Sequence, residues 1–401
     1  MTDAVRLAGR VPVSPTPPHS LMLGPDDVEV ALRLLGDPQG WGGDSGAVRA
    51  FEAEFAAWNG SGHCHAFIGA RAALSACIEA LELEPGDEVI LPGYTCIVVP
   101  NALRFAGIVP VFADIELDTY GLDFEALKRK IGEKTRAIIV HHLYGLVSRD
   151  LLKIIDLARD AGIPVIEDCA QSAGAGLGGI RVGNFGDVSI FSTEQSKVFT
   201  TITGGLAVTN DPAIARGLAR AQEGAAAPPP GKVRALLESV VYNYFSFNDP
   251  GRWWKGDLLR LGFGMDVYRT TTDLELRMQR PPGYMQRMPS ALAEIGLGQL
   301  KKLDGINARR VETARVWDDW CGANGYAKPC VIPDSTPIFL RYPLLVPPAL
   351  KRDPSWARRE LGIELGVWFT GNQHPVHVPL PDCPNGAYAV ERCVNFPGLV
   401  D

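Results

Sequence analysis

From Phe51 to about residue 212, short apolar runs alternate with stretches whose apolar residues recur every three or four positions. HCHAFIG (63–69), EVILPG (88–93), VPVFADI (109–115), AIIVHHLYG (137–145), PVIEDCA (164–170), VSIFS (188–192) and GLAVTN (205–210) each read as a buried strand. ALSACIEALEL (73–83), FEALKRKI (124–131) and LLKIIDLARDAG (151–162) read as helices between them. Strands alternating with helices of this length predict an α/β layer with a mainly parallel central sheet flanked by helices. In such sheets ligands collect beyond the carboxyl ends of the strands.

The rhythm breaks over 213–288. APPPG (227–231) predicts a turn or hinge, and residues 240–265 are unusually aromatic. This segment reads as an atypical helical insertion that packs against a neighbouring subunit; its few basic residues argue against a membrane-surface helix. The chain is thus expected to divide into a flexible leader (1–20), a large domain (21–212), the insertion (213–288), and a long helix with a smaller α+β C-terminal domain (289–401).

Composition narrows the function. The 46% apolar and 21% charged residues suit a soluble globular enzyme. Lys and Arg number 39 against 46 Asp and Glu, a net charge of −7, so no basic excess exists for nucleic acid. The eight cysteines form no CxxC pair, which favours reduced cytosolic thiols over disulfides or a zinc site. The N-terminal residues lack the apolar run of a signal peptide, and no apolar stretch reaches membrane-spanning length. A soluble, cytoplasmic protein is expected.

Three segments carry chemistry. EDCAQ closes a strand, so Asp168 can reach a cationic ligand nitrogen while its backbone stays in the sheet, with Gln171 three residues on. Lys197 lies between two buried strands in FSTEQSKVFTTITGG (191–205), five residues after Ser192, an unusual place for a solvated charge. Burial there would make its amine a nucleophile toward carbonyls. In GARAALSAC (69–77) a strand passes through Gly69 into a helix whose first N–H groups could hold a phosphate. Each has a bland reading: a helix-capping Asp, a solvated loop Lys, a structural turn. A phosphate cradle, an acid for a ring nitrogen and a Schiff-base lysine are together what pyridoxal phosphate requires.

With AVRAFEAEFAAWNGSGHCHAFIGARAAL, EPGDEVILPGYT, NALRFAGIVPVFADI, HHLYGL, VIEDCAQSAGA, FGDVSIFSTEQSKVFTTITGGLAVTND and GLGQLKKLDGINARR, the chain resembles the DegT/StrS-type sugar aminotransferases among the fold-type-I pyridoxal-phosphate enzymes. The likeness runs over 48–212, resumes at 283–315 and continues in the C-terminal unit. It implies that Lys197 forms the Schiff base and shuttles the proton, and that Asp168 keeps the pyridine nitrogen protonated. Gln171 would contact the phenolic oxygen. Ser192 and the backbone of Ala70 and Arg71, after Gly69, would bind phosphate. It also implies a homodimer with active sites at the interface, a keto-sugar or keto-cyclitol acceptor, and an amino-acid donor such as glutamate.

Three positions depart from the family pattern. Gly69-Ala70-Arg71 loses a hydroxyl and gains a cation. The position of the ring-stacking aromatic falls at Cys96, with Tyr94 two residues earlier, and Met285 replaces an Asn that reaches the neighbouring subunit's phosphate. Two alternatives to transamination therefore remain: a cofactor-dependent sugar dehydratase, whose best-known branch has His in place of this lysine, and a cofactor-binding homologue without turnover. His142 and His374 are candidates for the substrate pocket. His63 and His65 share a strand face but lack further ligands, so no metal is expected. GAGLGG (174–179) reads as a flexible loop, since no strand leads straight into it.

Overall fold

The computed structural model of the chain describes residues 22–41, 46–248 and 271–399. The expected leader lies outside the described residues, as does 249–265 of the aromatic stretch.

All seven predicted strands form, and all join one sheet. Helices α1 (Pro25–Gly36) and α2 (Ala47–Asn59) precede β1 (His63–Phe67), which leads into α3 (Ala70–Ala80). Then follow β2 (Glu88–Pro92), the short β3 (Thr95–Cys96), α4 (Val98–Phe105), β4 (Val109–Ala113), α5 (Phe124–Lys128), β5 (Thr135–His141), α6 (Leu151–Ala161) and β6 (Val165–Asp168). A hairpin of β7 (Gly176–Leu177) and β8 (Ile180–Arg181) precedes β9 (Val188–Ser192) and β10 (Gly205–Thr209). The sheet order is β1-β10-β9-β6-β5-β2-β4, and β10 runs antiparallel to both neighbours. Every residue of β9 and β10 is buried, which is why they appear in the sequence as unbroken apolar runs. Helix α6 buries Leu151, Ile154, Ile155 and Ala158, one stripe at helical spacing, and closes on Gly162 in the left-handed region.

Register decides which strand ends meet. Asp168 pairs across to His141 on one side and Ile190 on the other, while Gly205 faces both Ser192 and Phe67. The ends of five strands thereby form one ledge. Gly205 must be glycine because a Cβ there would lie 2.2 Å from the Ala70 nitrogen, in the turn that starts α3.

Helices α7 (Pro212–Gly224), α8 (Pro230–Asn243) and the single turn α9 (Asp273–Leu276) occupy the expected insertion. The predicted long helix forms as α10 (Ser290–Asn324), 35 residues with Phe51 packed against Gly296. After β11 (Ser335–Thr336) the C-terminal unit contains β12 (Arg341–Leu345), α11 (Pro348–Arg352), α12 (Ser355–Leu361), β13 (Gln373–His374), α13 (Pro384–Arg392) and β14 (Cys393–Pro397). β12 and β14 pair antiparallel, and Trp317, Trp320 and Trp356 pack around Phe396 on them. β13 reaches back to pair with β3, setting His374 beside Cys96.

GAGLGG does not behave as the flexible loop expected of it. Its Gly178 and Gly179, at φ of 58° and 81°, make the tight turn between β7 and β8, where both central residues need positive φ.

Candidate active site

A cavity of about 570 Å³ opens on the ledge of strand ends. Gly69, Ala70, Arg71, Asp168, Gln171, Ser192 and Lys197 all line it, although up to 128 residues separate them in sequence. Cys96, His142 and His374 line it too. Tyr94 does not. It is fully buried beneath the cavity, its hydroxyl 2.9 Å from that of Tyr144, so the site expected beside the ring is one layer deeper.

Lys197 sits in a hairpin held from both ends. Thr193 N–H donates to Gly204 O at 3.0 Å, and Gln195 N–H donates to Ile202 O at 3.0 Å. Ile202 takes a φ of 69°, a strained choice for a β-branched residue, and Thr200 Oγ1 accepts its N–H at 2.9 Å. Just past the lysine, Phe199 is wholly buried, stacked on Phe55 at 5.9 Å and edge-on to Phe51 at 6.5 Å. The buried Arg310 of α10 donates to Val198 O at 2.8 Å. Burial and the neighbouring charge of Arg341 lower the Arg310 guanidinium to about 9. The lysine is thus the half-buried tip of an anchored loop.

Asp168 accepts the Ala170 N–H at 3.0 Å, and burial raises its carboxyl above the usual range. A carboxylate so placed gains from a cationic ligand. Gln171 Oε1 accepts the Tyr144 N–H at 2.9 Å, which leaves the amide NH2 as the group able to donate to a ligand. His142 has both ring nitrogens occupied. Nδ1 accepts the Ser148 N–H at 3.1 Å, so Nε2 carries the proton and donates to Glu167 at 3.1 Å. Only its ring is left for the cavity. Burial pushes Glu167 up, but His142 and the N–H groups of Gly186 and Gly183 outweigh it and hold the carboxyl low. His142, Glu167 and Cys169 are the one grouping of three metal-type ligands among the described residues. Glu167 already accepts four hydrogen bonds there, and burial keeps Cys169 a thiol. The cluster is a brace behind Asp168.

The turn at Gly69 offers donors without an acceptor. Gly69 supplies no capping side chain, and the Ala70 and Arg71 N–H groups begin α3 with no carbonyl upstream to take them. Thr203 Oγ1 donates to Ile68 O at 2.8 Å and pins the turn to the start of β10. The Arg71 side chain pairs with the buried carboxylate of Glu275, itself held by the Thr272 N–H at 2.9 Å. That pairing brings Thr271, Asp273 and Leu276 in as one wall of the cavity.

The opposite wall comes from the C-terminal unit. Trp368, Phe369 and His374 line it. Thr370 N–H donates to His374 Nδ1 at 3.1 Å, and burial together with the Lys197 charge lowers this imidazole to about 4. Burial also raises the Cys96 thiol, with Lys197 pulling the other way. Trp368 and Glu275 were not found from the sequence. Neither sits in a local pattern; a hydroxyl three residues before Glu275 marks only a capping box, a common helix start.

Comparison with known proteins gives a family and a fold. The model of the DegT/DnrJ/EryC1/StrS aminotransferase family matches residues 36–400. The L-glutamine:2-deoxy-scyllo-inosose aminotransferase of Streptomyces kanamyceticus is 44% identical over 174 residues, 43% of this chain and 40% of that protein. The GDP-perosamine synthase of Escherichia coli O157:H7 is 38% identical over 270 residues, 67% of this chain and 62% of that protein. The chain therefore spans less than two thirds of the length of these relatives. Among solved structures, NtdA from Bacillus subtilis with bound cofactor PMP superposes with a TM-score of 0.69 at 21% identity, over 94% of this chain and 78% of that one. It shares the fold.

Proposed function

Because the chain belongs to the DegT/DnrJ/EryC1/StrS aminotransferase family, we propose that it moves an amino group from an amino-acid donor such as glutamate to a keto-sugar or keto-cyclitol, with pyridoxal phosphate bound through Lys197. The observation that carries the reading is the convergence of Lys197, Asp168, Gln171, Ser192 and the Gly69 turn on one cavity. The donor set suits the cofactor. The open N–H groups at the start of α3 and the Ser192 hydroxyl suit a phosphate, the Gln171 NH2 suits a phenolate oxygen, and the half-buried Asp168 suits a pyridinium N–H.

When bound, pyridoxal phosphate supplies an electron sink for the carbon that carries the amino group. The protein's part is placement and proton movement. Asp168 would keep the ring nitrogen protonated, and the Lys197 amine would hold at Nζ the proton that passes between a substrate carbon and a cofactor carbon. Trp368, Phe369 and Leu276 exclude water around it. The relatives' names support both acceptor classes: one acts on a cyclitol ketone, the other is a perosamine synthase. A homodimer with the site at its interface and a cytoplasmic location belong to the same reading.

Borohydride reduction of the cofactor-loaded protein, followed by peptide mapping, is expected to label Lys197. A label on another lysine, such as Lys232, would sink the assignment. Addition of glutamate or glutamine should convert the lysine-bound absorbance to that of the amine form, and a protein without turnover would leave the spectrum unchanged.

A further inference from the structure

The wall that carries Trp368 is held more firmly than a cavity lining needs to be. The Trp368 N–H donates to Asn395 Oδ1 at 3.0 Å and its carbonyl accepts from the Tyr144 hydroxyl at 3.0 Å. The next N–H, that of Phe369, donates to the Tyr94 hydroxyl at 3.3 Å, and the Phe369 carbonyl accepts from Lys351 Nζ at 2.8 Å. Lys351 also donates to Val390 O at 2.6 Å. These four polar side chains are all buried, and the two tyrosine hydroxyls meet at 2.9 Å. Three consecutive peptide groups are therefore gripped by buried side chains, where water cannot compete for the hydrogen bonds.

What this grip fixes is an indole ring in front of the lysine. Lys197 Nζ lies 5.7 Å from the Trp368 ring centroid, inside the range in which an ammonium is attracted to an aromatic face. Among the described residues no carboxylate pairs with this amine. The other charged and titratable groups lining its cavity are Asp168 on β6, Cys96 on β3, His374 on β13, Arg71 on α3, Glu194 in its own loop, His141 at the end of β5, His142 just after it and Asp273 on α9. The Arg341 guanidinium of β12 shares the same ring, 4.4 Å from its centroid.

We propose that Trp368 is a positioning residue for Lys197: its indole face seats the ammonium form of the amine whenever the amine is not bonded to the cofactor, and Tyr94, Tyr144, Asn395 and Lys351 fix the ring in that place. The inference rests on the reading of Lys197 as the cofactor lysine. The ring attracts the charged amine and not the neutral one. An amine parked there stays close while it acts as an acid, and it is released when it gives up its proton and becomes a nucleophile. Tyr94, set beneath the cavity instead of beside the ring, acquires its role here.

The test uses the full chain freed of cofactor. The pH dependence of Lys197 reductive methylation, read by peptide mass spectrometry, gives the protonation midpoint of the amine. Trp368→Leu is expected to lower that midpoint by about one pH unit, and Trp368→Phe by clearly less. A fluorinated tryptophan at position 368 keeps the shape and weakens the ring's attraction, so it should lower the midpoint even if the leucine variant folds poorly. Curves for the leucine and fluorinated proteins that superimpose on the wild type would overturn the proposal. Failure of the cofactor-lysine reading is separate, because it shows as a borohydride label elsewhere while the Lys197 midpoint still responds to Trp368.

Discussion

Two walls of one cavity are built by different means. The ledge of Asp168, Ser192 and Lys197 hangs on the central sheet: register puts Asp168 beside Ile190 and Ser192 beside Gly205, and Phe199 anchors the lysine loop in the core. The wall of Trp368, Phe369 and His374 belongs to the C-terminal unit and stands on buried polar side chains. The first is fixed by backbone ladders and apolar packing, the second by hydrogen bonds that only burial makes decisive. In the proposed reading the lysine that bonds the cofactor sits on the sheet, and the C-terminal wall closes the cavity across from it.

The contrast is open to attack. Lys197→Ala should remove the group that bonds the cofactor and moves the proton, and single-turnover transamination should slow on the order of 10³-fold or more. A variant that retains near-normal turnover would show that the ledge does not hold the chemistry. Phe199→Ala should cost about 3–5 kcal/mol in denaturant unfolding, because an aromatic ring leaves a packed site between Phe51 and Phe55. It should also loosen the lysine loop; a loss below 1 kcal/mol would mean that the loop is held by its hairpin alone.

The smallest effect is set by pH and compares the walls directly. His141, at the end of β5, and His374, on β13, are both lowered by burial to about 4. A depressed histidine contributes stability that is present above its unfolded value of about 6.5 and is lost as pH falls toward 4. The melting temperature should therefore decline across that window, above the range where carboxylates such as Asp150 become protonated. His141→Asn and His374→Asn should each flatten part of the slope. An unchanged slope in the His374 variant alone would show that the C-terminal wall opens before the sheet does.

How much could be seen in advance follows from the same division. The strands and the long helix were legible from their periodicity, and Asp168 and Ser192 because each closes a continuous apolar run, with Gln171 three and Lys197 five residues beyond. GAGLGG was misjudged because two glycines signal freedom in a sequence, whereas here they satisfy a turn that only glycine makes cheaply. Tyr94 was set near the ring because it is the aromatic two residues before Cys96, where the family stacks one; it precedes β3, and its hydroxyl is taken up by Tyr144 and the Phe369 N–H under the cavity.

The sequence by itself determined the mainly parallel sheet, the lysine between two of its strands and the acid at a strand end, since local periodicity and turn residues encode them. Only the tertiary structure decided that Glu275 holds Arg71, that β13 brings His374 to Cys96, and that Tyr94, Tyr144 and Lys351 hold Trp368 before Lys197. Those contacts join residues up to 278 positions apart, most of them through buried polar groups. No local pattern records such a pair, because its strength comes from the water that the rest of the fold excludes.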